Sequence, residues 1–151
     1  MKTTLICTLF TTAIFTCTMS HSQDSDAQPS TTAPKSIPKT IDYIEVPSRD
    51  VGKSRDFFTA LFGWRFTDYG PDYTSFEDGR ISGGFFRSAK VSKTEDGATI
   101  AVIYVEQLEE AKAEVIKLGG EISRDIFSFP GGRRFHFLEP GGSEFALWTD
   151  K

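Results

Sequence analysis

Apolar residues recur along residues 40–151 in two rhythms, every second position over short runs and every third or fourth over longer ones. Ile41-Asp42-Tyr43-Ile44-Glu45-Val46 alternates, which predicts a strand that stops at Pro47. Ser48 or Asp50 caps the helix that follows. Its apolar face is Val51, Ser54, Phe58, Leu61 and Phe62, and Gly63 ends it. Three strands are expected next, at Trp64–Tyr69, Tyr73–Glu77 and Ile81–Arg87, punctuated by Gly70-Pro71-Asp72 and Asp78-Gly79. The same order then repeats. Thr99–Val105 reads as a strand, and Leu108, Ala111, Val115 and Leu118 mark a second helix that Gly119-Gly120 ends. Strands follow at Glu121–Phe127, Arg133–Leu138 and Glu144–Trp148. Leu61-Phe62-Gly63-Trp64 is answered by Leu118-Gly119-Gly120-Glu121, 57 residues later. The predicted class is α+β: two βαβββ modules forming a half-open curved sheet or barrel with the helices outside. A ferredoxin-type αβ sandwich is the alternative on pattern alone.

Residues 1–39 have a different texture. Lys2 precedes an apolar run from Leu5 to Phe15, and Thr16–Ser22 turns small and polar. This layout predicts a signal peptide over 1–22, cleaved before Gln23, and hence an exported protein, periplasmic or secreted. An uncleaved anchor and a lipoprotein lipidated at Cys17 are the alternatives; Phe15 and Thr16 before that cysteine argue against lipidation. Residues 23–39 are rich in Ser, Thr, Pro, Asp and Gln and read as a flexible linker. Residues 40–151 form the folded domain.

Composition narrows the chemistry. The 151 residues are 38% hydrophobic and 25% charged, enough for one domain and no more. Fourteen phenylalanines point to a core or pocket filled by rings. Both cysteines, Cys7 and Cys17, lie in the leader, so the mature domain has neither a disulfide nor a thiol nucleophile. Without Lys2 the charge is 16 basic against 21 acidic residues, net −5, which excludes a nucleic-acid binder of the basic-patch type. No membrane contact is expected beyond the leader.

The stretch Ile41–Val46 with Asp50, Ser54, Phe57-Phe58 and Leu61-Phe62-Gly63-Trp64, then Asp78-Gly79-Arg80-Ile81-Ser82-Gly83-Gly84, carries a resemblance. With Leu108–Gly120, Phe137-Leu138-Glu139-Pro140-Gly141-Gly142 and Phe145-Ala146-Leu147-Trp148, it resembles the glyoxalase/bleomycin-resistance (vicinal-oxygen-chelate) superfamily over about 110 residues. That resemblance implies a divalent metal held by His, Gln or Glu on the first and last strand of each module, chelating vicinal substrate oxygens. Carried across residue by residue, the four positions fall on Tyr43, about Gly83, about Ile100 and Ala146. None is a usual ligand, and the one histidine of the mature domain, His136, lies on another strand. The expectation is therefore no metal and no other cofactor.

Alternation also says which side chains share the concave surface. Taking Tyr43 and Ala146 as inward brings in Ile41, Glu45, Phe85, Arg87, Ile100, Val102, Tyr104, Arg134, His136, Glu144 and Trp148. Candidate ligand-binding residues are Tyr43, Phe85, Arg87, Tyr104, Arg134 and Trp148. Glu45, His136 and Glu144 are the candidate acid–base groups, with Glu45 and His136 as a proton-moving pair. The plainer reading gives the rings to barrel filling, pairs Arg87 and Arg134 with Glu45 and Glu144, and makes His136 structural. Gly83-Gly84 inside a strand implies close approach by a backbone or a ligand.

Three functions follow. The chain binds a small hydrophobic or aromatic molecule in its cavity, as bleomycin-resistance-like proteins sequester theirs; or it is a lyase or isomerase on a small oxygenated substrate; or it is a non-catalytic interaction module. The resemblance also implies a possible homodimer.

Overall fold

The computed structural model describes residues 36–151. The predicted signal peptide, both cysteines and residues 23–35 of the predicted linker lie outside the described residues. Ser36–Thr40 form an exposed turn in which Thr40 Oγ1 donates to Ile37 O at 2.8 Å.

Two four-stranded mixed sheets carry the fold. The first half supplies β1 (Tyr43–Ser48), α1 (Val51–Phe62), β2 (Arg65–Asp68), β3 (Tyr73–Glu77) and β4 (Ser82–Arg87). The second supplies β5 (Ala101–Tyr104), α2 (Leu108–Lys117), β6 (Glu121–Phe129), β7 (Gly132–Leu138) and β8 (Glu144–Thr149). Strand orders are β1-β4-β3-β2 and β5-β8-β7-β6, with β1∥β4 and β5∥β8 parallel and the other pairs antiparallel. The repeated βαβββ order read from the sequence is the order observed. The sheets remain open rather than closing into a barrel. β1 runs through Pro47 to Ser48 instead of stopping there, because an outer strand of its sheet can spare the missing N–H.

Local signals set the helix ends. Asp50 caps α1, its Oδ1 accepting from Lys53 N at 3.1 Å, and Gly63 closes it in the left-handed region at φ 69°. Ser48 instead is buried and hydrogen-bonds Ser54 Oγ at 2.8 Å.

One face of each sheet turns toward a shared aromatic core. Phe58 sits at its centre without solvent exposure, 4.7 Å from the Trp64 ring, 5.4 Å from Phe85 and 4.8 Å from Phe145. Phe57 approaches Phe137 at 5.9 Å, so the first helix packs on the second half's strands. Burying six or more rings stabilises this centre by about 1.5–3 kcal/mol apiece before entropy is counted.

A second tie between the halves is polar. Glu139 is 2% exposed, and its carboxylate accepts from Ser54 Oγ (2.8 Å), Gly141 N (2.7 Å) and Ser143 N (3.1 Å). Ser143 Oγ donates to Pro47 O at 2.5 Å. The Glu-Pro-Gly-Gly turn thus fastens β7–β8 to the β1–α1 junction.

Candidate functional site

Cross-strand partners share a face, so register decides what the outer face of each sheet presents. On the first sheet, Tyr43 pairs Ser82 and Glu45 pairs Gly84, while Val46 pairs Phe85. Phe85 therefore faces the core, where it is fully buried; the expectation that it lines a ligand cavity is wrong by one residue of register. Arg87 has the same parity as Phe85. It lies at the sheet's end, bonded to Asp72 and to the carbonyls of Arg49 (3.1 Å) and Pro71 (2.9 Å) rather than to Glu45.

Tyr43 and Glu45 meet in a cluster with Tyr73. Tyr43 Oη and Tyr73 Oη lie 2.6 Å apart, and Tyr73 Oη donates to Glu45 Oε1 at 2.9 Å. Burial, then the bonds to Tyr43 and Glu45, push the Tyr73 phenol well above its ordinary value. A Cβ on Gly84 would stand 2.3 Å from Tyr73 Oη and 3.0 Å from Tyr43 Oη, and one on Gly83 would stand 2.2 Å from Phe76 Cζ. The close approach predicted at the two glycines is mainly by aromatic side chains.

On the second sheet Val102, Tyr104, Glu144, Ala146, Trp148, His136 and Arg134 share one face, the grouping expected for the concave surface, and it is the face turned away from the aromatic core. His136 pairs with Glu144, not Glu45: Nδ1 lies 3.2 Å from Oε1, with the residues 5% and 8% exposed. Glu144 also accepts from Thr94 N, Thr94 Oγ1 and Ser123 Oγ, each at 2.7 Å. Burial raises the Glu144 carboxyl, but these donors outweigh it and leave it below the usual range. Burial lowers the His136 imidazole, against the pull of Glu144 and with the help of Arg134 and Arg124. Beside an ionised Glu144, a neutral His136 imidazole donates from Nδ1, which leaves the lone pair on Nε2. That Nε2 is buried without a hydrogen-bond partner. Glu144 is therefore engaged by Thr94, Ser123 and His136 rather than by Arg134. A hollow of about 310 Å³ beside the pair is lined by Lys93, Thr94, Ser123, Arg124 and Leu138.

Two bulges in β6, between Ile122 and Arg124 and between Arg124 and Phe127, break its alternation. They bring Arg124, Phe127 and Phe129 to the same outer face, opposite His136, Arg134 and Gly132. Period-two reading had no signal for this, and these three residues were missed.

Between the outer strands β1 and β5 opens a mostly apolar cleft of about 1030 Å³. Its walls include Ile41, Ile44, Ile81, Ile100, Val102 and Ile103, with rings of Trp64, Phe76 and Phe145 behind them. Glu45 and Glu144 reach it, and Asp42, Asp78 and Arg80 also line it. None of the six predicted ligand-binding residues lines this cleft; the isoleucines do.

The four positions carried over for a metal offer poor donors. The Tyr43 phenol is held in its cluster, Gly83 has no side chain, Ile100 is a hydrocarbon, and Ala146 is a buried methyl. Among the described residues no three His, Cys, Asp or Glu form a group able to hold a metal ion. These residues do not fit a divalent cation.

Comparison with known proteins gives the same fold. The model of the Glyoxalase/Bleomycin resistance protein/Dioxygenase superfamily matches residues 40–147. No curated protein matches. Among solved structures, a glyoxalase/bleomycin resistance protein/dioxygenase family enzyme from Burkholderia phytofirmans PsJN is similar at TM-score 0.61 and 13% identity, covering 73% of this chain and 98% of that one. Lactoylglutathione lyase from Agrobacterium tumefaciens gives 0.57 and 15%, covering 76% and 96%. A fosfomycin resistance protein from Listeria monocytogenes, complexed with Mn(II) and 1S,2S-dihydroxypropylphosphonic acid, gives 0.61 and 14%, covering 74% and 90%. At these identities the likeness is one of fold.

Proposed function

Since the chain belongs to the glyoxalase/bleomycin resistance protein/dioxygenase superfamily, we propose that it is an exported, metal-independent member that seats a small hydrophobic or aromatic molecule in the β1–β5 cleft. The cleft carries the reading: a cavity of about 1030 Å³ with isoleucine walls and aromatic rings behind them suits a compact apolar ligand, and the few charges in its lining would orient one polar end. The donor-poor side chains at Tyr43, Gly83, Ile100 and Ala146 support binding without a metal. The leader-like sequence pattern of residues 1–22 supports export.

Thermal stability of the chain against a panel of apolar and aromatic metabolites tests this. Saturating ligand at a hundredfold excess over Kd raises stability by about 2.7 kcal/mol, and Ile103→Trp, which fills the cleft, abolishes the shift. A panel without any shift, or shifts unaffected by Ile103→Trp, overturns the assignment. Metal analysis is expected to find far less than one ion per chain; a stoichiometric ion would overturn metal independence. Secreted or periplasmic protein is expected to begin at Gln23.

The His136–Glu144 pair favours a second reading, a lyase or isomerase in which His136 Nε2 takes a proton from an oxygenated substrate. It predicts a rate that disappears in His136→Gln while ligand affinity stays.

A further inference from the structure

Sulfur side chains are the usual first targets of an oxidant, and the folded domain has none: Met1, Cys7, Cys17 and Met19 all precede residue 36. Oxidising equivalents that reach residues 36–151 therefore fall on tyrosines and tryptophans. Of the four tyrosines, Tyr43, Tyr69 and Tyr73 gather at the first sheet. Tyr104 stands apart, bonded to Asp150 at 3.0 Å and edge-on to Trp148, so its neighbour is an indole rather than a second phenol.

Tyr43 on β1 and Tyr73 on β3 flank β4 and reach toward each other over Gly84. A Cβ at that position would collide with both hydroxyls, so the bare backbone is what lets the two phenols meet. Tyr73 has one hydroxyl proton and gives it to Glu45 Oε1 at 2.9 Å, so Tyr43 is the donor in the 2.6 Å contact between the phenols. A phenol that gives up an electron becomes a strong acid, and here a carboxylate already stands in line for the proton. The electron has a way out as well. Tyr69, 65% exposed, lies 6.0 Å from the Tyr73 ring, and Tyr43 is itself 40% exposed. Unpaired spin on a phenoxyl concentrates on its oxygen and on the ring carbons ortho to it, two bonds from the touching oxygens. Turning the Tyr43 ring about its long axis swings an ortho carbon toward Tyr73 without parting the hydroxyls.

We propose that Tyr43 and Tyr73 are an oxidative cross-linking pair, joined carbon to carbon by a haem peroxidase that consumes one hydrogen peroxide per bond. Tyr73 loses an electron to the peroxidase and its proton to Glu45; Tyr43 loses the second electron, and its proton leaves to water. The two ortho carbons then bond, and their hydrogens pass by way of water to the phenol oxygens, which restores both rings. The chain gives up two electrons and two protons in all, and these reduce the peroxide to two waters. The new bond staples β1 to β3 across β4 and closes a loop spanning 30 positions. That is the kind of constraint a disulfide supplies in domains that have cysteines.

The full chain, with Cys7 and Cys17 alkylated, is treated with a haem peroxidase and one equivalent of hydrogen peroxide, then digested with trypsin. The expected product is a monomer lighter by two hydrogens, with biphenol fluorescence, in which peptide 40–49 is joined to peptide 66–80 through Tyr43 and Tyr73. Tyr43→Phe and Tyr73→Phe each abolish the joined peptide. Glu45→Gln slows its formation at least tenfold; an unchanged rate overturns the role of Glu45 as proton acceptor. Wild-type chain treated in denaturing urea gives at least tenfold less of the joined peptide, because the contact belongs to the fold. Joining through Tyr69 or Tyr104 instead, cross-links only between chains, oxidised tryptophans with Tyr43 and Tyr73 intact, or an equal yield from the unfolded chain overturns the inference. The cross-linked monomer is expected to unfold at a higher urea concentration than the untreated chain, and an equal midpoint overturns the staple.

Discussion

Glu144→Gln isolates the charge of the buried carboxylate while keeping its shape. In the wild type Oε2 accepts twice from Thr94 and Oε1 accepts from Ser123 Oγ and His136 Nδ1. The amide oxygen can keep the Thr94 pair, but its NH2 then faces Ser123 and His136. The hydroxyl can turn to accept. His136 must move its proton to Nε2, where no protein acceptor stands. Charge-assisted bonds are worth about 1.5–3 kcal/mol and neutral ones about 1, so four weakened bonds cost on the order of 2–4 kcal/mol. For a domain of this size that lowers Tm by about 10–20 °C. The pH dependence is the sharper readout. Both groups have folded values depressed below their unfolded ones. Wild-type stability is therefore complete above the unfolded histidine value near 6.5 and is lost on acidification, first as unfolded His136 takes up a proton, then from about pH 4.5 downward as unfolded Glu144 does. The Gln variant lacks the second stage. Urea denaturation followed by tryptophan fluorescence from pH 8 to 3 measures both effects. Superimposable stability–pH curves, or a variant as stable as wild type at pH 8, would refute the account of the pair.

Phe58→Ala removes the ring at the centre of the core and is expected to cost about 3–5 kcal/mol; a urea midpoint shift worth under 1 kcal/mol would show that the halves do not share one core. Gly84→Ala drives a Cβ into Tyr73 and is expected to destabilise by about 1–3 kcal/mol. Adding Tyr73→Ala recovers part of that loss, whereas additive effects would contradict the contact. Glu139→Ala strands Ser54 Oγ and two backbone N–H groups in the interior, for a loss of about 3–5 kcal/mol; calorimetry showing a Tm within 2 °C of wild type, well under the shift expected from such a loss, would dissolve the clamp.

The fold was legible because its signals are local. Alternation at Ile41–Val46, the spacing of Val51, Ser54 and Phe58, and the glycines that end both helices each speak within a few residues. The site was legible only where strands are regular. Tyr104, Arg134, His136, Glu144 and Trp148 fall on the face their parity predicts, since β7 and β8 pair without a break. Phe85 and Arg87 went astray because the register of β4 against β1 is a long-range fact: Glu45 meets Gly84 rather than Phe85. Arg124, Phe127 and Phe129 were hidden by bulges, which insert residues without any distinctive residue type. The partner of His136 was misassigned because distance across a sheet is not written in sequence.

The interlock between the halves bears on the order of folding. Ser54 meets Glu139 across 85 positions, and Phe58 meets Phe145 across a similar span. Loops of that size close late, after local turns and helices have already formed. The first module, although it is written as a complete unit, lacks its lid of rings until the final hairpin is made. A nascent chain that has not yet reached β8 would carry α1 with an uncovered apolar face. Completion of the fold is thus coupled to the emergence of β8, which acts as the closing step for a core that begins a hundred residues earlier.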